Sequence, residues 1–324
     1  MKVTALLLLL ACGTVFGATE EETKKTFPAS TGGKLVVDVD FGEINVTTNA
    51  TPNEIGVMVW RKVTRRNQAE EEKFLKDHPV TFHQEDGTLV IRSRHKSQGG
   101  WFSNFRNRNE GKFTIKVPAE FNAKLDTAGG GISVSDLHGG VDADTSGGGL
   151  SFARLNGTLN GDTSGGGIRV LDCQGNIKIG TSGGGIDVAG GGGSLSGETS
   201  GGGVKVKNFA GPASVETSGG GITIEKVKGS VKGSTSGGPI HAVLLSPLPG
   251  EVNLSTSGGG VSVDIGDQAA FNLDAETSGG GVSCELPVTI QGKKERSRLK
   301  GPVNGGGPVV ELRSSGGGIQ VRKL

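Results

Sequence analysis

From Thr127 onward the chain restates one phrase, T-(S/A)-G-G-(G/P)-Φ-x-Φ, in which Φ is apolar. Copies start at Thr127, Thr145, Thr163, Thr181, Thr199, Thr217 and Thr235, each 18 residues after the last. Two more start at Thr256 and Thr277 after steps of 21 residues, and a final copy starts at Ser314. A fixed period near 20 residues is the signature of a solenoid, in which one repeat cannot bury its apolar face alone and neighbours stack to do so. The expected fold class is therefore all-β: a single-stack β-solenoid (β-helix) with 18–21 residues per coil. The 60 glycines would suit a flexible linker. A linker, however, has no reason to hold its apolar residues in register.

Counting the threonine as position 1, positions 6 and 8 are apolar, as in Ile132 and Val134, Ile168 and Val170, or Val204 and Val206. Position 7 between them is polar or charged, as in Ser133, Arg169 and Lys205. This period of two sends one face inward and the other outward. Position 11 carries Leu137, Leu155, Cys173, Phe209, Val227 and Leu245, position 13 is glycine, and position 15 is again apolar. Each coil should thus be two or three short strands joined by glycine turns, with positions 6, 8, 11 and 15 in the core.

The glycine triplet reads as a turn. Position 5 becomes Pro239 in one coil, so it tolerates the fixed φ of proline and the loss of an N–H. Positions 3 and 4 are always glycine, which predicts a left-handed or otherwise Cβ-intolerant backbone. A phosphate-cradling loop would need a helix N-terminus after the glycines. Here a β pattern follows.

Upstream of the repeats, Met1-Lys2 followed by the apolar run 3–11 has the form of a secretory signal within residues 1–17, too short to span a bilayer. Leu9-Leu10-Ala11-Cys12-Gly13 resembles a lipobox that would place lipid on Cys12; Val15-Phe16-Gly17 before Ala18 offers ordinary cleavage instead. Either way the chain is expected to be exported, to the periplasm, the outer-membrane surface or the medium. Residues 26–117 read as a β-rich capping segment with strands at 34–40, 43–47, 54–63, 88–94 and 112–117 and one short helix at 67–77. Residues 118–324 form the glycine-rich solenoid, with a basic excursion at 291–307. Cys173 and Cys284 occupy core positions several coils apart, so no disulfide is expected.

These elements occur in a recognisable order: KLVVDVDFGEINV near the start, the acidic short helix, KFTIKVPAEFNAKLDTAGGGISV at the junction, the SGG-strand repeats, and the closing NGGGPVVELRSSGGGIQV. The set resembles the bacterial putative-adhesin family of unknown function, related to auto-transporter adhesin head domains. The resemblance covers nearly all of the chain after the signal. It implies an extracytoplasmic β-solenoid with an adhesin-like role, and it brings no catalytic residues.

Candidate sites lie where charge or aromatics gather. Acidic residues precede many TSGGG copies, and Asp126, Asp144, Asp162, Glu198 and Glu216 could line a row of Ca²⁺ ions, hard cations that prefer oxygen ligands. Interruptions at Gly180 and Ser234 favour a solvated charged edge instead. The Thr and Ser at positions 1 and 2 suit side-chain hydrogen bonding in a turn. Residues 97–109 place Trp101, Phe102 and Phe105 beside Arg106 and Arg108, residue types favoured at binding hot spots. Partners expected on this reading are envelope or surface polysaccharide or protein, with membrane contact only through a lipid on Cys12. A net charge of +1, from 34 basic and 33 acidic residues, gives no basic footprint for nucleic acid. No cofactor or metal spacing is apparent, and the five histidines form no ligand motif. Position 7 offers no convergent acid–base set, so the expectation is a non-enzyme. The alternatives are a polysaccharide-active β-helix enzyme and a calcium-binding structural solenoid.

Overall fold

The computed structural model describes residues 18–49, 51–94, 108–290 and 295–324. Cys12 and the loop residues Trp101, Phe102, Phe105 and Arg106 lie outside the described residues. Among the described residues the fold is all-β with one helix, and the chain divides into two compact units at Thr163/Ser164.

In the unit that begins at Ser164, a coil consists of two strands. Val204–Lys207 holds positions 6 to 9, and Ala213–Thr217 runs from position 15 into the next threonine. Strands pair in parallel with their equivalents one repeat away, Val204 with Ile222 and Ala213 with Val231. The 18-residue offset therefore stacks like on like and makes two parallel sheets. Positions 6, 8 and 15 fill the core as the alternation requires, and so does position 17, with Ile179 and Val215 buried. Gly197 and Gly233 also stand at position 17, and a side chain on Gly233 would meet Leu254 and Ile224. Neighbouring large residues therefore fill the space those glycines leave.

The return between the two strands relies on position 10, which has positive φ in Asp172, Asn208 and Lys226 (51°, 54° and 56°) as well as in Gly190. Asp and Asn tolerate this region, and the glycine pattern gave no hint of it. Position 11 then turns inward, burying Cys173, Phe209 and Val227. Leu245 departs from the expected core role and is 39% exposed. The preceding strand, Ile240–Leu244, runs one residue longer than Ile222–Glu225 before it and buries Leu244, so alternation turns Leu245 out. Leu248, within the three-residue insertion, fills the core there.

The last coil in sequence is not the last in space. Val310 pairs with Val252 on one side and Leu273 on the other; Ile319 pairs with Val261 and Val282. The coil 309–323 thus lies between coils 252–265 and 271–284. Arg298–Val303 runs antiparallel along Phe271–Thr277 and covers that sheet edge. Cys284, expected in the core, is only half-buried because Val282–Cys284 is the outermost strand of its sheet.

The first unit opens with β1 (Thr19–Pro28), β2 (Lys34–Val39), β3 (Glu43–Thr48), β4 (Glu54–Thr64), α1 (Gln68–Asp77), β5 (Thr81–Glu85), β6 (Thr88–Ser93) and β7 (Arg108–Val117). β2 and β3 already form a coil, parallel to Asn122–Thr127 and Ile132–Ser135 respectively. Asp40-Phe41-Gly42 takes the place of the glycine triplet. β6 and β7 form a further coil on the other side, parallel to β2 and β3. The coil pattern therefore starts at Lys34, within the segment expected to act as a cap, and is again out of sequence order. β4 and β1 on one sheet and β5 on the other close this end with antiparallel pairs. The outermost β1 is densely charged, three glutamates followed by two lysines (TEEETKKT), which opposes pairing with other chains.

α1 is capped at its start by Asn67, whose side chain accepts the Glu70 N–H. Its end is held by Arg61, a buried β4 residue that donates to the His78 carbonyl at 2.6 Å and, through Nε, to Glu21 of β1 at 3.0 Å.

Candidate functional site

The TSGGG turn, the hinge of each coil, has a division of labour that composition alone conceals. The position-1 threonines are buried, and each hydroxyl donates to a glycine carbonyl in the hinge of an adjoining coil. Thr145 reaches Gly130, Thr199 reaches Gly184 and Thr217 reaches Gly202, each at 2.7 Å. The same oxygen accepts a glycine N–H of its own hinge, as from Gly202 to Thr199 at 3.3 Å. The serines at position 2, such as Ser146 and Ser218, are exposed. The expected turn bonding thus belongs to threonine. Gly202 and its equivalents at position 4 are not left-handed; a Cβ there would lie 2.1 Å from the Gly184 carbonyl oxygen. Close approach of two backbones, and not a special φ, excludes side chains from position 4.

Outside this framework the side chains form ladders. Arg169, Asp187 and Lys205 stand in register at position 7, as a cross-coil charge ladder requires. Beside them Lys207 pairs with Glu225 at 2.7 Å. Further along the sheet, Arg322 bonds Asp264 at 2.8 Å.

The five carboxylates considered for calcium fall into two groups. In the first unit Asp126, Asp144 and Asp162 share one file with Asp38 of β2. Arg94 bonds Asp38 and reaches Asp126 at 2.5 Å. In the second unit Glu198 neighbours Glu216, which Lys232 binds at 3.0 Å. Carboxylates in such a file follow one another at strand spacing and do not converge on a point. Among the described residues no group of three or more His, Cys, Asp or Glu is arranged to hold a metal ion.

The file has an electrostatic consequence. Partial burial, then the charges of Asp126, Asp162 and Asp142, push the Asp144 carboxyl above its ordinary range. The folded state therefore holds this proton more readily than the unfolded chain, so ionisation as pH rises through the carboxylate range works against folding. Asp144→Asn is expected to stabilise the protein by about 0.5 kcal/mol at neutral pH, with the gain vanishing below about pH 3. Urea melts at the two pH values check this. Equal midpoints for the two proteins at neutral pH would contradict it.

Of the aromatic loop set, only Arg108 is described. It is the exposed first residue of β7, opposite Thr64. A second feature escaped the sequence reading. Where the repeats give way to the excursion after Cys284, a cleft of about 700 Å³ opens, lined by hinge glycines and by Ser283, Glu295, Arg296 and Gln320. The break in the repeat is the sequence signal for it.

The model of one family, Toastrack DUF4097, matches residues 33–322. The chain belongs to the Toastrack DUF4097 family. Membership agrees with the adhesin-like resemblance seen in the residues and with the long parallel sheets described above. Among solved structures the chain is similar to a putative cell adhesion protein from Clostridium sporogenes (12% identity, 94% of this chain and 100% of that one, TM-score 0.20). It is also similar to a putative adhesin from Bacteroides fragilis (11% identity, 94% and 97%, TM-score 0.30). A third is a putative lipid binding protein from Parabacteroides distasonis (14% identity, 94% and 96%, TM-score 0.39). No curated protein matches the chain.

Proposed function

We propose that this Toastrack chain is an exported, non-enzymatic β-solenoid that displays a binding surface at the bacterial cell envelope, in the manner of an adhesin. The observation that carries this reading is how the coil uses its residues. Threonine and glycine recur where they hold the hinge, while the outward position 7 changes from coil to coil through Arg169, Asp187, Lys205, Thr223 and His241. A rigid, evenly spaced framework with variable outer residues suits recognition of an extended partner, polysaccharide or protein. General acid–base chemistry would instead draw a few groups to one point. Export to the periplasm or cell surface, with or without lipid on Cys12, follows from the signal-like N-terminus.

Sedimentation of the purified native protein with fractionated cell envelopes tests the proposal. Saturable co-sedimentation with a polysaccharide or surface-protein fraction is the expected result. Absence of saturable binding, or release of reducing ends from the polysaccharide, would contradict it.

A further inference from the structure

The open edge of β1 presents backbone groups in a charge pattern that fits a second copy of itself. Ala29, just after β1, donates its N–H to the Asn53 carbonyl at 2.9 Å and continues the register in which Pro28 stands opposite Glu54. Bonded and unbonded residues alternate along an antiparallel ladder. The odd-numbered residues of β1 therefore bond β4, and Glu20, Glu22, Lys24 and Thr26 aim their N–H and C=O groups at the open edge. β1 is the outermost strand of its sheet, so among the described residues no strand pairs with them. At ten residues it is the longest of the four outermost strands, against five in β5, six in Arg298–Val303 and three in Val282–Cys284. Pro28, which has no N–H to give, ends the run.

Dense charge disfavours an arbitrary partner strand here, but the order of the charges selects one. Two copies related by a two-fold axis through the sheet pair antiparallel, and every side chain keeps to its own face. Residues of like parity then stand opposite one another, so the axis passes through a residue. With Thr23 on the axis, Glu22 faces Lys24 of the second copy on the outer side. Glu21 faces Lys25 of the second copy on the inner side, and both pairs occur twice by symmetry. Opposite charges in such cross-strand positions attract. An axis through Glu22 would set that residue against itself, and an axis through Lys24 would do the same to lysine. In the single chain Glu22 and Lys24 bond each other at 2.5 Å on the exposed face, so the crossed pairs extend an existing network. β5, whose ionisable residues are His83 and Glu85, offers no such pattern. We infer that β1 is a homodimer interface, in which two copies of the chain join edge to edge through antiparallel β1 strands in register about Thr23. The inference goes beyond the binding role proposed above and does not depend on it.

Sedimentation equilibrium of the purified native protein should show a reversible dimer with half-association below about 100 µM. Glu22→Lys and Lys24→Glu each set like charges opposite one another twice in the dimer and should weaken it about tenfold or more. The double exchange, Glu22→Lys with Lys24→Glu, restores opposite charges across the axis and should return the association to within about threefold of the parent. Cross-linking reads the register independently. Thr23 meets its own mate in a pair that is not hydrogen-bonded, with Cα atoms about 4.5 Å apart and within reach of a disulfide. Thr23→Cys should therefore give a reducible covalent dimer under mild oxidation, whereas Thr26→Cys, about 20 Å from its mate, should not. The inference is overturned if the protein stays monomeric throughout that range, if the single reversals leave the dimer unchanged, or if the double exchange fails to recover it. It is also overturned if Thr23→Cys cross-links no more than Thr26→Cys.

Discussion

Gly202→Ala is expected to destabilise the protein by about 3 kcal/mol or more, whereas Gly203→Ala, one residue along, should cost less than about 1 kcal/mol. The added methyl at Gly202 would lie 2.1 Å from the Gly184 oxygen and 2.4 Å from its carbonyl carbon. Both atoms belong to the backbone of the adjoining coil, which pairs through its own sheets and cannot withdraw. At Gly203 the nearest atom is the Gly221 oxygen at 3.1 Å, which a small shift accommodates. The equivalent position already accepts Pro239. Thermal or urea unfolding of the two variants separates them, and equal losses would show that backbone approach is not what fixes glycine at position 4.

Thr217→Val should be the next most damaging hinge change, at about 2 kcal/mol. The hydroxyl donates to the Gly202 carbonyl at 2.7 Å and accepts the Gly220 N–H at 3.3 Å. Valine keeps the shape and β propensity but leaves both groups without that partner in a site where the residue is 6% exposed. Thr217→Ser should retain most of the stability, because Ser314 makes the same bond to Gly259 at 2.8 Å. Ser218→Ala, on an exposed neighbour, should be near neutral. A loss at Ser218 equal to that at Thr217 would contradict the assignment of the bonding to threonine.

Much of this architecture was legible because the repeat imposes two constraints at once. Alternation placed Val204 and Val206 inside and Lys205 outside, and the 18-residue step put Thr199 beside Thr217 in the paired strands. Local chemistry that alternation does not encode was harder to read. Asp172 and Lys226 adopt positive φ because the chain must reverse there, and nothing about lysine announces it. Leu245 looked like core until one more strand residue, Leu244, changed which side chain faces inward. Non-sequential order at the chain ends was invisible for a different reason. A strand such as Val309–Ser314 carries the same alternation whichever neighbour it joins, so its place between Val252 and Leu273 depends on the connection and not on the pattern. Arg296 lies outside the repeat, and its place beside Ser283 and Gln320, which pair in register, depends on how the excursion turns back along the outermost coil.

Removing one repeat tests the central claim, that coils lock in an 18-residue register through the buried threonine and the side-chain-free hinge. Deletion of residues 199–216 joins Glu198 to Thr217 and preserves every position in the stack. It should yield a protein that still melts cooperatively with β-type circular dichroism. Deletion of residues 199–215 shifts the register by one, exchanges inner for outer faces across that joint, and should abolish the cooperative transition. Equal behaviour of the two deletions, or failure of the 18-residue deletion to fold, would contradict the account.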